Sequence, residues 1–526
     1  MAISLSKNQA NTIFWAFIIS HVVFWTLAPM LIRFNLPMDS IEGAIWSQKL
    51  VFGYDKAPLL NAWITAGAIW LFGYVDWAIY LTSQLSVAVC FIALWLLAKK
   101  ILSPIYALLS IIILEGFQYY HIGAIDFDDN VLQLPLWALS CLFFYKALNE
   151  KKLSDWIWLG VFTGLAILAK YYAILLFLSM LAFLGRLENR YCFSERGIYL
   201  AFAIFLAIIS PHVFWLFHHD FLTIHYVFRR IGDLPTWSSH VINPLLFLRD
   251  EAYALIVPGL LFTSLCYSHK WIAIWRNWLK INVITFPFVG EADMHSTAGE
   301  GRGKMKFDQQ FLIYLSLGPL LLAVLISILT GIKLHIMWGS ALFSLWGMLF
   351  FSFFQPVLND RKLYRFFVML LLLFFMTLIG YLLSIHWSKN NSSAHFPGRP
   401  IAHNLIESWY QRYHQPLAYV IGNRWLAGNL SFYSHLHPIV LIDGDLRLAP
   451  WLDPPDLNRK GALLIWDVNQ FGSIIPAQYK HFLTKENLVT EIKTFAWQNA
   501  PNEEPVKIGV LFLPPVEVSS INGERQ

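Results

Sequence analysis

Ten apolar runs dominate the first 387 residues of this 526-residue chain. They fall near 12–32, 77–98, 103–120, 131–148, 156–185, 198–217, 244–268, 310–330, 335–354 and 364–386. A bilayer core about 30 Å thick asks for roughly 20 apolar residues per helical span, and several runs approach that length. Within lipid the backbone has to satisfy its own polar groups, so such runs are read as helices. The expected fold class is therefore a polytopic α-helical membrane protein. Composition supports this: 57% of residues are hydrophobic and only 13% are charged, which is more apolar than soluble domains. Net charge is +5, and no basic tract interleaved with aromatics lies on a polar domain. The sequence thus excludes nucleic acid as an expected partner. Cys90, Cys141, Cys192 and Cys266 lie in or beside apolar runs, so neither a disulfide framework nor a cysteine zinc site is expected. No small-residue cleavage site follows the first run, which is expected to remain as an uncleaved span.

Orientation follows from lysine and arginine in short loops. Basic clusters occur at 99–100, 146–152, 186–196, 270–306 and 361–365. Placing all five in the cytoplasm sends residues 33–60 and 121–130 to the opposite side. The run at 156–185 has basic clusters at both ends, so one crossing would violate the rule. Two short helices turning at Lys170 and Tyr171 resolve this, with the turn tolerated only where it lines a cavity. The count becomes about 11 transmembrane helices, with the N-terminus inside. Residues 59–74 read as an interfacial helix, so the outer loops are 33–76 and 121–130, within a transmembrane domain of residues 1–387. After Trp387 the composition turns polar. LAYVIG (417–422), PIVLID (438–443), ALLIWD (462–467) and KIGVLFLP (507–514) read as buried strands, with helices expected at 400–413 and 454–460. Residues 388–526 are thus expected to form a small C-terminal periplasmic α/β domain. It has no glycine-rich loop after a strand, so no nucleotide cofactor is expected. The polar, glycine-rich stretch at 269–309 reads as a mobile cytoplasmic connection.

The acids are concentrated on the outer side. Asp39 and Glu42 are spaced to share one face of a helix. Asp55 and Lys56 place a carboxylate and a cation together before Pro58, and residues 124–130 add Asp126, Asp128 and Asp129. A charge at the bilayer edge is costly unless it is paired, solvated or used. Glycosyl transfer to a hydroxyl needs a base near the acceptor oxygen and charge compensation at the leaving group. Asp39, Glu42, Asp126 and Asp128 are the candidate catalytic acids. Lys56, Lys170, Arg229 and Arg230 are the candidate phosphate-binding residues. Simpler roles remain open for each: Asp129 or Asn130 suits a helix N-cap, and Lys56 and Lys170 suit snorkelling to the interface.

Several stretches together resemble the GT-C glycosyltransferases. They are Asp39 in the first outer loop, GYDKAPL at 53–59, the acidic loop running into DNVLQLPLW at 129–137, and LAKY at 168–171. FPGRP at 396–400, WLAGN at 425–429 and GALL at 461–464 extend the likeness over nearly the whole chain. The nearest look is to the bacterial branch that includes the lipid A aminoarabinose transferase and the lipopolysaccharide galacturonosyltransferases; protein O-mannosyltransferases are more distant. The resemblance implies an inverting transfer from a polyprenyl-phosphate-linked sugar donor to a glycolipid acceptor, lipid A or lipopolysaccharide core, at the periplasmic face of the bacterial inner membrane. It implies that Asp39 is the first-loop catalytic aspartate and that Lys56 meets the donor phosphate. It places Asp126 or Asp128 as the second-loop aspartate and Asp55 at a divalent metal of unknown identity. Glu42 stands where the aminoarabinose enzyme has an arginine, and Ala57 replaces the first proline of its lysine-proline-proline string. The rival class is a lipid-linked sugar transporter or flippase. Transporters tend to show duplicated halves, and no duplication is visible here.

Overall fold

The computed structural model describes residues 5–231, 235–266, 297–387, 392–483, 488–499 and 503–516, apart from the side chains of 230–231 and 297–304. Helix α1 (Lys7–Ile32) starts in a capping box, where Ser6 Oγ accepts from Gln9 N and Gln9 Oε1 accepts from Ser6 N. Such reciprocal bonding satisfies two of the orphan amides at a helix start. Then follow α2 (Met38–Ser47), α3 (Leu60–Phe72), α4 (Asp76–Ile101), α5 (Pro104–Ile112), α6 (Asp129–Glu150), α7 (Leu153–Ala169), α8 (Ile174–Leu184), α9 (Arg196–His218), α10 (Leu222–Ile231), α11 (Ser239–Ala254) and α12 (Ile256–Cys266). Longer helices at Thr297–Thr330 and Asp360–His386 follow.

Helices α4 and α6 form the centre: 61% and 83% of their most apolar windows are buried, against 11% for Asp360–His386 at the periphery. The peripheral helix is apolar all round yet exposed, as a helix facing lipid has to be. Helix α1 packs on α4, α4 on α6, α6 on α7 and α7 on α9. The α7–α9 approach is close because Gly160 and Gly164 face it. A Cβ on Gly160 would lie 2.4 Å from the carbonyl oxygen of Ala201, and one on Gly164 would lie 2.8 Å from Ile208. Between membrane helices, van der Waals contact of this kind drives association.

Among the described residues, six helices are long and apolar enough to cross a membrane, and eight spans result if two bent pairs are counted. Leu60–Phe72, Leu153–Ala169 and Ile256–Cys266 are shorter apolar helices. The expected eleven spans therefore do not appear as eleven long helices. The run at 335–354 is broken into a 3-10 turn at Ile336–Gly339 and a helix at Trp346–Phe353. The run at 103–120 leaves helical geometry near Gly116 and bends by 87°. The break expected inside 156–185 is present: α7 ends at Ala169, Lys170 is extended, and a 3-10 turn at Tyr171–Ala173 leads into α8. Helix α3 is the apolar segment expected beside the first outer loop, with Trp70 and Leu71 exposed. Of the stretch read as a mobile connection, residues 297–309 are helical and 269–296 lie outside the described residues.

The C-terminal region holds a five-stranded sheet of order β2-β1-β3-β5-β4. Its strands are β1 (Tyr419–Gly422), β2 (Ile439–Ile442), β3 (Ala462–Asp467), β4 (Val489–Phe495) and β5 (Val506–Leu513). Strand β1 pairs parallel with β2 and β3, and β5 runs antiparallel to β3 and β4. Strands β1, β3 and β5 read as near-continuous apolar runs because both faces are covered: Val420, Leu463 and Val510 pack on one side, Ile421, Leu464 and Leu511 on the other. Helices Gly398–Tyr413 and Arg424–Tyr433 pack on each other, and the second also packs on α2. That contact seats the sheet domain against the first loop.

Candidate active site

Two acidic loops meet at the start of α2. The helix begins after Pro37, which has no side chain able to accept from the first free amides. Asp126 supplies the acceptor from the second loop. Its Oδ1 accepts from Ser40 N at 2.8 Å and from Ser40 Oγ at 2.8 Å, and its Oδ2 accepts from Asp39 N at 3.2 Å. Ser40 Oγ in turn accepts from Phe127 N at 3.0 Å. A carboxylate is favoured at a helix N-terminus by the exposed amides and the helix dipole. The second loop is tied down from behind, where Ser83 and Gln84 of α4 donate to the carbonyl oxygen of Ala124. Asp39, in the first turn of α2, is exposed.

Glu42 shares that helix but has the opposite environment. It is buried, and its Oε1 lies 2.7 Å from Lys56 Nζ and 2.8 Å from Arg424 Nη1. Arg424 also binds Asp55, whose Oδ1 accepts from Trp46 Nε1 at 3.2 Å. Arg424 opens the Arg424–Tyr433 helix, which Asn423 caps by accepting from Leu426 N. One guanidinium thus joins two acids of the first loop to the sheet domain. The loop is held from its other side too: Thr223 of α10 donates to the carbonyl oxygen of Tyr54, and Lys56 Nζ lies 5.7 Å from the ring centroid of Tyr226.

Asp128 caps α6, accepting from Asn130 N and Val131 N at 2.9 Å. Lys170, at the break after α7, donates to Asn130 Oδ1 and lies 5.5 Å from the ring centroid of Trp338. Asp129, beside them, has a buried Oδ1 with no hydrogen-bond partner among the described residues. The structure therefore brings Asp39, Glu42, Lys56, Asp126, Asp128 and Lys170 into one contiguous region and adds Arg424, Asn130 and Asp129. Arg229 is exposed on α10, and its charge reaches Asp445 of the sheet domain. Arg230 is on the same helix, and its side chain lies outside the described residues.

Burial raises the Asp126 carboxyl to about 7, and the neighbouring acids Asp39 and Asp128 add to this. Burial also raises Glu42, against the opposing charges of Arg424 and Lys56, and raises Asp128, against Lys170. Burial works against the charge of Arg424, but Asp55 and Glu42 overcome it and leave the group above its ordinary value. This distribution suits chemistry in which one acid is solvent-accessible and its buried neighbours are held in position.

The metal expected at Asp55 finds a donor set already used otherwise. Arg424 and Trp46 take both carboxylate oxygens, and among the described residues no three His, Cys, Asp or Glu side chains are grouped to hold an ion. These residues fit a guanidinium rather than a divalent cation. Sequence reasoning missed Arg424 because it lies 369 residues after Asp55. Its only local sign is the cap residue Asn423 before an apolar helix.

The family model for dolichyl-phosphate-mannose-protein mannosyltransferase matches residues 56–215. The lipopolysaccharide core galacturonosyltransferase RgtB of Rhizobium johnstonii is 22% identical over 484 residues, which cover 89% of this chain and 90% of the relative. Lipopolysaccharide core galacturonosyltransferase RgtA of the same organism is 22% identical over 213 residues, covering 40% of this chain and 42% of the relative. The crystal structure of ArnT from Cupriavidus metallidurans bound to undecaprenyl phosphate matches with a TM-score of 0.58 at 14% identity, over 98% of this chain and 99% of that one. At that identity the likeness is one of fold.

Proposed function

We propose, for a chain that is a membrane glycosyltransferase of the GT-C superfamily in its bacterial branch, that it transfers a sugar with inversion from a polyprenyl-phosphate donor to an envelope glycolipid. The observation that carries this reading is the latch of Asp126 onto the start of α2, with Asp39 exposed in the first turn of the helix whose Glu42 pairs with Lys56 and Arg424. In the proposed reaction the acceptor hydroxyl oxygen attacks the anomeric carbon. Its proton passes to the Asp39 carboxylate. The bond from that carbon to the phosphate oxygen breaks, and polyprenyl phosphate leaves with the electron pair. A positioned base contributes roughly 10²–10⁴-fold to such a step. In this reading Lys56 and Lys170 supply the positive charge that offsets the charge developing on the leaving phosphate. No step passes through a metal.

The acceptor class rests on the relative that spans nine-tenths of its own length with this chain, a lipopolysaccharide core galacturonosyltransferase. The undecaprenyl phosphate bound by a protein of this fold supports the donor class. We place the reaction at the periplasmic face of an inner membrane, with residues 388–526 on that side, by assigning the five basic clusters of the sequence to the cytoplasm. The test uses purified protein in nanodiscs with a labelled polyprenyl-phosphate sugar and a lipopolysaccharide acceptor. The expected result is label on the glycolipid, with the donor consumed in equal amount. Donor left unchanged, with the lipid crossing between leaflets once the same protein is reconstituted in vesicles, would point to a flippase. Label on protein instead of lipid would point to protein O-glycosylation.

A further inference from the structure

The sheet domain has a cleft of about 760 Å³ that the proposed chemistry does not use. Its walls come from the chain just beyond the carboxyl ends of the three parallel strands. Asn423 follows β1, Asp443 and Asp445 follow β2, Gln470 and Phe471 follow β3, and Gln478 closes one side. In open α/β sheets, ligands bind in this crevice beyond the carboxyl ends of the strands. The volume is within the roughly 300–1,000 Å³ of small-molecule sites. At its floor the chain turns sharply, with φ of +50° at Asp443 and +70° at Gly444. A Cβ on Gly444 would lie 3.0 Å from Phe482 and 3.1 Å from Tyr479.

The chemistry of the walls narrows the ligand. The Asp443 carboxylate and the side-chain amides of Asn423, Gln470 and Gln478 offer acceptors and donors, the inventory that vicinal hydroxyls satisfy, while Arg447 holds the Asp445 carboxylate in place beside them. Phe471 adds an aromatic ring that is 40% exposed, a flat apolar face of the kind that buries the C–H side of a sugar ring. The Asp443 carboxylate opposes a phosphate, and among the described residues no glycine-rich loop lines the cleft to cradle one. Among the described residues the cleft holds no metal-ligating group of three. It also lies close to the ion cluster of the active site. Asn423 precedes Arg424, and the carboxyl of Asp443 is close enough to feel Arg424, Asp55 and Lys56.

We infer that this cleft binds the saccharide portion of the acceptor and presents it to the reaction site, which would give the sheet domain its role. The inference rests on the glycosyltransferase reading given above. The same hydroxyl chemistry belongs to the donor sugar, so the test separates the two sources.

The full-length protein in nanodiscs is titrated with deacylated lipopolysaccharide core oligosaccharide as the probe, as wild type and as Phe471→Ala and Gln478→Ala. Neither residue belongs to the catalytic cluster, and both are on the surface. The expected result is binding by wild type that each variant weakens about tenfold, the loss that marks a contact central to a site. The acceptor KM rises by a similar factor while donor KM and turnover at saturating acceptor stay put. No binding of the probe to wild type, or equal binding by the variants, overturns the inference. A rise in donor KM with acceptor KM unchanged also overturns it, by assigning the cleft to the donor sugar. If the probe binds as expected but no sugar moves from polyprenyl phosphate, the saccharide site stands and the proposed reaction fails.

Discussion

Replacing Arg424 with methionine keeps most of its aliphatic volume and removes the charge that Glu42 and Asp55 share. The three side chains are only 12%, 6% and 2% exposed, so water cannot take the place of the guanidinium without rearrangement. After the change, Glu42 keeps Lys56 at 2.7 Å, while Asp55 keeps only the Trp46 indole among its described hydrogen bonds. The cost therefore falls mainly on one uncompensated buried carboxylate, and breaking a buried pair in this way typically costs about 3–5 kcal/mol. Reversible unfolding in mixed micelles at neutral pH, followed by tryptophan fluorescence, should show a loss of that size. Asp55→Asn in the Arg424→Met background should recover most of it, because a neutral amide no longer needs the cation. A loss under about 0.5 kcal/mol, the range of ordinary surface substitutions, would refute the claim that this ion cluster joins the first loop to the sheet domain. Failure of the double variant to recover would refute the assignment of the cost to Asp55.

Lys56→Ala should raise donor KM with the fold intact, by the roughly 1.5–3 kcal/mol that a charge-assisted contact contributes; unchanged donor kinetics would reduce Lys56 to a partner of Glu42. The folded Asp126 carboxyl has a pKa of about 7 against an ordinary 3.8, so between about pH 4 and pH 7 the folded chain holds a proton that the unfolded chain has released. Stability therefore falls as pH rises through that window, by at most about 1.4 kcal/mol per pH unit; Asp126→Asn should flatten that slope in pH-dependent unfolding, and an unchanged slope would contradict the assignment. At the seat of the sheet domain, a Cβ on Gly428 would lie 2.6 Å from Ile41 and 2.8 Å from Ile45. Gly428→Val should destabilise by about 1–3 kcal/mol through overpacking and lower turnover by moving α2; a silent substitution would show that α2 and this helix are not closely docked.

What the sequence revealed followed its physics. The break at Lys170 was readable because basic residues flank both ends of one apolar run, and no single crossing satisfies that. The strands at 419–422, 439–442, 462–467 and 506–513 were readable because the sheet is covered on both faces and leaves continuous apolar runs. Strand β4, VTEIKTF, was missed because it is an edge strand whose exposure alternates and whose polar half hides it. The division of 335–354 was missed because a buried apolar run has the same composition whether helical or broken. At the site, the sequence placed the two acidic loops together but left the register between Asp126 and Asp128 open. The structure gives each its own helix to cap: Asp126 holds α2 and Asp128 holds α6. Arg424 could not be found locally, since its role depends on a contact made only once the sheet domain is seated.

The proposed mechanism depends most on Asp39, the exposed carboxylate in the first turn of α2. Asp39→Asn keeps the size of the side chain and leaves the backbone amide that Asp126 accepts from. Single-turnover transfer from labelled polyprenyl-phosphate sugar, measured alongside donor affinity, should show turnover lowered by about 10²-fold or more with donor binding nearly intact. Near-normal turnover in a well-folded Asp39→Asn protein would place the base elsewhere and contradict the account.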